Sequence, residues 1–259
     1  YTGNGVETIV AHGLDATPGF YFIKSRSGTI RWTGYHSAVG ANGNLFLNET
    51  GGISSNTGVN GTNGPDSNVF YMKTGYNEYN ANDANYIAYC FAPVEGYSAM
   101  GSYTGNGSAD GPFVYTGFKP RWLMIKRTDS TSNWVVFDTE RSPQNVNDNL
   151  LFADLSANEY SNDTYSKIDI LSNGFKHKAG GTYGINQSGS TWVYMAFAEN
   201  PVAQDAQTVT TGDTQVALDA LVASATEIVE TDGTTMYLNS ATGPWRTGLS
   251  IEGSQINDA

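Results

Sequence analysis

Apolar residues in this chain come in short bursts separated by polar, turn-rich stretches. Phe20 to Lys24 and Trp122 to Lys126 are aromatic and β-branched runs that follow Pro18 and Pro120. A proline suits the start of a strand because no ladder donor is needed there. Thr29 to Tyr35 and Asn133 to Asp138 follow as the next strands. Each pair reads as a hairpin, turned by Ser27-Gly28 in the first case and by Asp129 to Ser132 in the second. Tyr86 to Ala92 and Trp192 to Ala198 are nearly continuous in apolar residues, which predicts central strands buried on both faces. Asn42-Gly43, Asn60-Gly61, Asn63-Gly64 and Asn173-Gly174 are tight-turn dipeptides. Gly51 to Asp66 and Ser156 to Ser166 read as exposed loops. No amphipathic helix stands out before residue 201, so α/β folds are disfavoured.

The same pattern occurs twice. Tyr1-Thr-Gly-Asn-Gly5 recurs letter for letter as Tyr103-Thr-Gly-Asn-Gly107, an offset of 102 residues (103 against 1). Trp32 matches Trp134 and Tyr35 matches Phe137 at that offset. Further on, Asn44 to Leu47 aligns with Asn149 to Phe152, and Tyr86 to Ala92 with Trp192 to Ala198. Such drift is what loop insertions produce. The expected fold is all-β, with two tandem β-sandwich repeats over 1–97 and 98–201 and a small C-terminal module over 202–259. In that last part Asp213 to Val222 reads as a short helix capped by Asp213, or as an irregular strand. Thr226 to Glu230 and Thr234 to Leu238 form a hairpin around Thr231-Asp-Gly233, and Trp245 sits in a packed turn.

Composition narrows the partners. Thirteen Lys and Arg against 25 Asp and Glu give a net charge of −12. Nucleic acid and anionic membranes both want basic patches, so neither is expected. No apolar stretch approaches the ~20 residues of a membrane helix. Charged residues make up 15% of the chain, below the ~25% of a typical domain, so Asn, Ser, Thr and Gly must supply the polar surface. The single cysteine, Cys90, cannot form an intrachain disulfide and reads as a small buried hydrophobe. The chain starts at Tyr1 without a charged-then-apolar leader, which reads as a piece of a longer protein.

Candidate chemistry is thin. His12, His36 and His177 lack metal-ligand spacing. His36 aligns with Asp138 and reads as a surface residue, and His177 in Phe175-Lys-His-Lys178 as a solvated strand end. Asp138 and Glu140 are the nearest pair of acids for glycoside hydrolysis, but their equivalents are His36 and Ala38, so the repeat does not carry the pair. Asn147-Asp-Asn149 offers oxygen ligands for calcium without the full spaced loop. The glycines of Gly3-Asn-Gly5 and Gly105-Asn-Gly107 read as turn or bulge glycines, not a phosphate loop. No catalytic residue, cofactor or metal is expected. Aromatic residues reach 12% of the chain. Tyr76, Tyr79, Tyr160 and Tyr165 lie in polar, loop-like segments and are the candidate contacts for a sugar face or an oligomer interface.

Tyr103 to Thr128, Trp134-Val-Val-Phe-Asp138 and Tyr86 to Tyr97 together resemble a repeated domain of tailed-bacteriophage structural proteins, found especially in tail-fibre and other virion proteins of phages from aquatic bacteria. His12-Gly-Leu14 and Asn44 to Asn48 resemble its first-copy pattern, and Ala217 to Gly253 the segment that follows such repeats. The resemblance implies a β-sandwich module on the surface of a virion, in contact with other virion proteins. It further implies homo-oligomerisation, trimeric for a fibre, and engagement of a host-surface glycan, with no nucleic acid and no membrane insertion. It implies no catalytic residues. Capsid decoration is the alternative role, and a polysaccharide depolymerase acting through Asp138 and Glu140 the lesser one.

Overall fold

Aromatic and β-branched bursts this short cannot make helices of useful length, and the chain folds almost entirely into strands. A computed structural model describes residues 1–55 and 64–201, together with the backbone of four strands between 203 and 251. The first copy runs β1 (Thr8–Ala11), β2 (Phe20–Ser25), β3 (Thr33–His36), β4 (Gly43–Phe46), β5 (Ser54–Ser55), β6 (Val69–Met72), the single turn α1 (Asn77–Asn80) and β7 (Tyr86–Phe91). The second runs β8 (Ser98–Thr104), β9 (Phe113–Tyr115), β10 (Pro120–Arg127), β11 (Val135–Asp138), β12 (Leu151–Phe152), β13 (Ile168–Leu171), β14 (Gly174–His177) and β15 (Thr191–Ala198). Then follow β16 (Ala203–Val209), β17 (Ala225–Thr231), β18 (Thr235–Ser240) and β19 (Arg246–Ile251).

The chain divides into two compact units, residues 1–94 with 98–199, and residues 95–97 with 200–259. The second contains a four-stranded sheet in the order β16-β19-β18-β17. Its β17–β18 pair is the antiparallel hairpin expected from Thr226 to Leu238. Asp213 to Val222, Trp245 and Asn60-Gly61 lie outside the described residues.

In the first unit each copy places a small sheet over a five-stranded one. Copy one has β1-β6 over β5-β4-β3-β2-β7, and copy two has β13-β14-β9 over β12-β11-β10-β15-β8. Three apolar clusters glue the sheets. Tyr21, Ile23, Tyr35, Phe70 and Met72 fill the space inside copy one. Leu123, Ile125, Phe137, Phe175 and Trp192 do so inside copy two. Phe20 and Leu45 of copy one meet Met124, Trp134, Val193 and Met195 of copy two in a third cluster. The two large sheets therefore face each other, and the sheets stack in four layers. Full burial of one such side chain is worth roughly 1.5–3 kcal/mol.

The seam between copies is also hydrogen-bonded. Trp134 Nε1 donates to Phe46 O at 2.9 Å, and Lys126 Nζ donates to Thr50 O at 2.7 Å. His36, 2% exposed, contacts Tyr194 O through Nε2 at 3.0 Å. Ala38 N donates to His36 Nδ1 at 3.1 Å, which fixes the neutral tautomer with its proton on Nε2. The expectation that His36 is a surface residue is overturned. It sits where sheet faces sheet, a relation the local sequence does not contain.

Strand registers refine the alignment of the copies. Thr33 pairs with Phe46, and Val135 with Phe152. Phe46, not Leu47, is therefore the partner of Phe152, and the offset from here on is 106 residues. Phe20 opposite Phe91 and Trp122 opposite Phe197 keep it.

The repeated Tyr-Thr-Gly-Asn-Gly string has a structural job in both copies. Asn80 and Asn186 are each 1% exposed or less. The Oδ1 of Asn80 accepts from Asn4 N, and that of Asn186 from Asn106 N. Their Nδ2 atoms donate to Val6 O and Lys73 O in one copy, and to Ser108 O and Ala179 O in the other. Tyr1 Oη and Tyr103 Oη donate to Tyr79 O and Ile185 O. A Cβ on Gly3 would stand 2.2 Å from Ala81 O, and one on Gly105 2.3 Å from Gln187 O. Gly5 and Gly107 adopt φ of 72° and 70°, where other residues are strained. Gly105→Ala is expected to destabilise by about 2–3 kcal/mol, because backbone must give way to backbone. Urea unfolding checks it, with Gly189→Ala as the contrast. Gly189 has open space around its Cβ position, so only its φ of +74° opposes that change.

Candidate functional site

The four tyrosines singled out by sequence do not form one site: Tyr76 and Tyr79 stack on each other at the core of copy one, Tyr76 half-buried there, while Tyr160 and Tyr165 belong to copy two. Tyr79, on α1, is fully buried and stacks on Tyr76 at 5.3 Å. It belongs to the core of copy one and offers nothing to a ligand, which corrects the expectation of a surface contact there. Its loop-like sequence misled because the residues that cover it, such as Tyr21 and Phe70, lie far along the chain. Tyr160 and Tyr165 are about half exposed. Tyr160 packs edge-on against Phe152 at 5.2 Å. Tyr165 meets Tyr183 edge-on at 5.6 Å, and Tyr183 is 68% exposed. Tyr183 was not singled out in the sequence, although its position in Gly180-Gly-Thr-Tyr-Gly184 marks a loop. The Tyr165–Tyr183 pair is an exposed aromatic corner with faces free to stack on an apolar ligand surface.

The acids have local tasks. Asp138 Oδ1 accepts from Glu140 N at 2.7 Å, just as His36 Nδ1 accepts from Ala38 N in copy one. Asp138 thus closes a turn that both copies possess. Glu140 pairs with Arg121 at 2.8 Å on the surface. Asn147 is buried and donates to Ser142 O, and Asp148 pairs with Lys167. Among the described residues no three of His, Cys, Asp and Glu cluster in a way that would hold a metal ion.

His177 is not a solvated strand end. It is fully buried, against the rings of Tyr103 at 4.5 Å and Phe175 at 5.6 Å. Neither ring nitrogen has a hydrogen-bond partner, and burial pushes its pKa down to about 3. His36 is held near 4 by the same desolvation, with the Tyr194 hydrogen bond opposing. Both are neutral at pH 7 and neither reaches a surface where a substrate would bind.

A concavity of about 390 Å³ opens in copy one. Its walls are Val10 and Phe70 from the small sheet, Tyr1 and Tyr86 at one end, and Ala88 and Cys90 along β7. Cys90 is only partly buried, and desolvation raises its thiol to about 11. A protonated thiol with no cation beside it in sequence is a poor nucleophile. His12 also lines the concavity, with Nε2 on Asp66 O at 3.0 Å and Nδ1 accepting from Leu14 N, so its ring is tied into the neighbouring loops. The wall side chains are mostly apolar, while more of the exposed lining is polar. Sequence missed the concavity because β7 reads as a central strand. The structure places β7 at the edge of its sheet, with Ile87 and Tyr89 about 40% exposed. Its equivalent β15 is central and buried, as expected.

Comparison with known families gives one match. The model of a domain of unknown function, DUF7483, covers residues 1–201, and the chain belongs to that family. The matched span holds both copies of the repeat and ends where β15 is complete. No curated protein and no solved structure matches the chain.

Proposed function

We propose that this DUF7483 member is a structural protein of a tailed-bacteriophage virion, a segment of a tail fibre or similar appendage. It assembles non-covalently with other virion proteins, as a homo-oligomer that is trimeric in a fibre, and touches a host-surface glycan. The observation that carries the reading is the use of the repeated residues. The shared tyrosine, glycines and asparagine close loops, and the shared tryptophan Trp134 fills a seam, so what was duplicated is a rigid shape and not a reactive centre. A duplicated module supplies length and repeated contacts, and repeated contacts raise avidity without a new interaction. The net charge of −12 suits solubility at high copy number. The glycan contact is assigned to the exposed Tyr165–Tyr183 corner, with Tyr160 as a second aromatic surface. No enzymatic step is part of this reading.

Antibody labelling of intact particles tests it. Label on the tail or its fibres is the expected result. Label confined to the head moves the protein to the decoration role, and absence from purified particles ends the virion reading. For the glycan contact, replacing Tyr165 and Tyr183 together by alanine is expected to weaken binding to host polysaccharide roughly tenfold while leaving the unfolding temperature in place, because stacked aromatics contribute about 0.5–1.5 kcal/mol each. Unchanged binding in a glycan array would remove that corner from the proposal.

A further inference from the structure

The two copies differ at one sheet edge. In copy two, β8 pairs antiparallel with β15 along its whole length, from Thr191 opposite Thr104 to Phe197 opposite Ser98. In copy one the same ladder begins. Thr2 bridges Asn85, Tyr86 N donates to Tyr1 O at 2.9 Å, and the Tyr1 amine donates to Tyr86 O at 3.1 Å. These contacts reproduce the Thr104–Thr191 and Tyr103–Trp192 rungs. Among the described residues no strand continues the ladder along Ile87 to Phe91. Pairing alternates along a strand. Since Tyr86 presents its N–H and C=O to Tyr1, Ala88 and Cys90 present theirs to the same open side.

The 390 Å³ cleft lies on the core side of this edge. Ala88 and Cys90 correspond to Tyr194 and Ala196, and in copy two those residues face Gly101 and Ala99 of β8. The size relation across the rung is informative. Gly101 has no room for a side chain, since a Cβ there would lie 2.7 Å from Tyr194 Oη. In copy one the large residue is replaced by Ala88, and the volume that Tyr194 fills is left to the cleft. The other face agrees. Ile87 and Tyr89 are 39% and 42% exposed, whereas their equivalents Val193 and Met195 are 3% and 4% exposed, with Met100 of β8 packed beside them.

We propose that the β7 edge is a strand-accepting site. Its occupant is a polypeptide joined directly ahead of Tyr1, which runs antiparallel along Ile87 to Phe91 as Ser98 to Ser102 runs along β15. The residue two positions ahead of Tyr1 lies opposite Ala88 and is a bulky apolar one, the reverse of the Gly101–Tyr194 rung. Main-chain hydrogen bonds would give the strand its affinity and the cleft would select its side chain. The seat of Tyr1 on Tyr86 already fixes register and direction. The proposal stands apart from the virion reading, since it rests on the asymmetry of the two copies and not on where the protein is found.

The experiment compares the 259-residue chain with versions carrying five residues ahead of Tyr1. The first extension, Ser-Ala-Met-Leu-Ser, repeats Ser98 to Ser102 with leucine in the place of Gly101. The second has proline instead of that leucine, which removes the N–H that the rung needs. Hydrogen exchange at the Ala88 and Cys90 amides and the rate of Cys90 alkylation are read, together with sedimentation. The leucine extension is expected to slow both processes by roughly tenfold or more, and the proline extension to leave them fast, as a newly paired and covered edge requires. Equal rates in all three chains would overturn the proposal. Protection of the same amides in the unextended monomer would overturn it by showing that the edge is already covered. Protection that rises with concentration alongside dimer formation would assign the edge to a second copy and overturn the occupant named here.

Discussion

Acidification between pH 6.5 and pH 4 is expected to remove several kcal/mol of stability, through His36 and His177. Burial holds their folded pKa values near 4 and near 3, against an ordinary 6.5. The unfolded chain takes up these two protons near pH 6.5, and the folded chain resists them. Their contribution is therefore complete above pH 6.5 and is lost as pH falls towards the folded values. Each histidine accounts for on the order of 3 kcal/mol by pH 4, from about 1.4 kcal/mol per pH unit per proton. Against a total stability of ~5–15 kcal/mol that is a large fraction. The depressed carboxylates Asp110 and Asp129 titrate lower, held down by their hydrogen bonds to Lys176 and Arg127. Urea midpoints at pH 7, 5.5 and 4.5 check the expectation. His177→Met places there the residue that copy one uses, since Tyr1 touches Met72 as Tyr103 touches His177. That variant should lose about one proton from the acid slope, and His36→Gln a second. A slope unchanged in both would show that other groups drive the acid limb.

His177 also shows how much was legible. Strand β14 alternates Phe175 in, Lys176 out and His177 in, and Lys178 continues outward. Two lysines made the segment look solvated, although period-two alternation places the residue between them on the opposite face. The pairings β2–β3 and β10–β11 were readable because β-branched and aromatic runs met turn residues within a few positions, although β3 begins at Thr33 and not at Thr29. The duplication was readable because Tyr-Thr-Gly-Asn-Gly survives letter for letter. Its purpose was not, because Asn80 and Asn186, which lock it, lie 76 to 80 residues away and carry no local mark. The edge position of β7 was hidden for a related reason. Tyr86 to Phe91 and Trp192 to Phe197 are equally apolar, and only the neighbour β8 makes one of them central. Tyr183 belongs with these, since exposure depends on what fails to cover a residue. Local pattern records which face of a strand is apolar. It does not record which other strand arrives to cover it.

The third cluster makes the two copies one folding unit, and Trp134 is its largest side chain. It is 3% exposed, lies across Phe20 of the other copy at 6.1 Å, and donates to Phe46 O. The Lys126 amine, pushed down to about 8 by desolvation with Asp154 opposing, lies 5.9 Å from its ring. Trp134→Ala is expected to cost about 3–5 kcal/mol, since it opens a cavity between two sheets that cannot collapse independently. It also removes one of two donors to Phe46 O, the other being Glu49 N at 3.1 Å. The repeat supplies an internal control. Trp32 occupies the same place in copy one, where Val135 and Thr33 mark equivalent rungs. It is only half-buried, against Phe22 and Tyr89 on the side that leads to the open β7 edge. Trp32→Ala should therefore cost about half as much. Urea unfolding followed by circular dichroism and by tryptophan fluorescence reads both. The parent should unfold in one coincident transition, and Trp134→Ala should fall to a lower midpoint with the two signals separating as the copies lose their common core. A cost below about 1 kcal/mol, or equal costs at the two tryptophans, would mean that the seam does not couple the copies and that each stands on its own internal cluster.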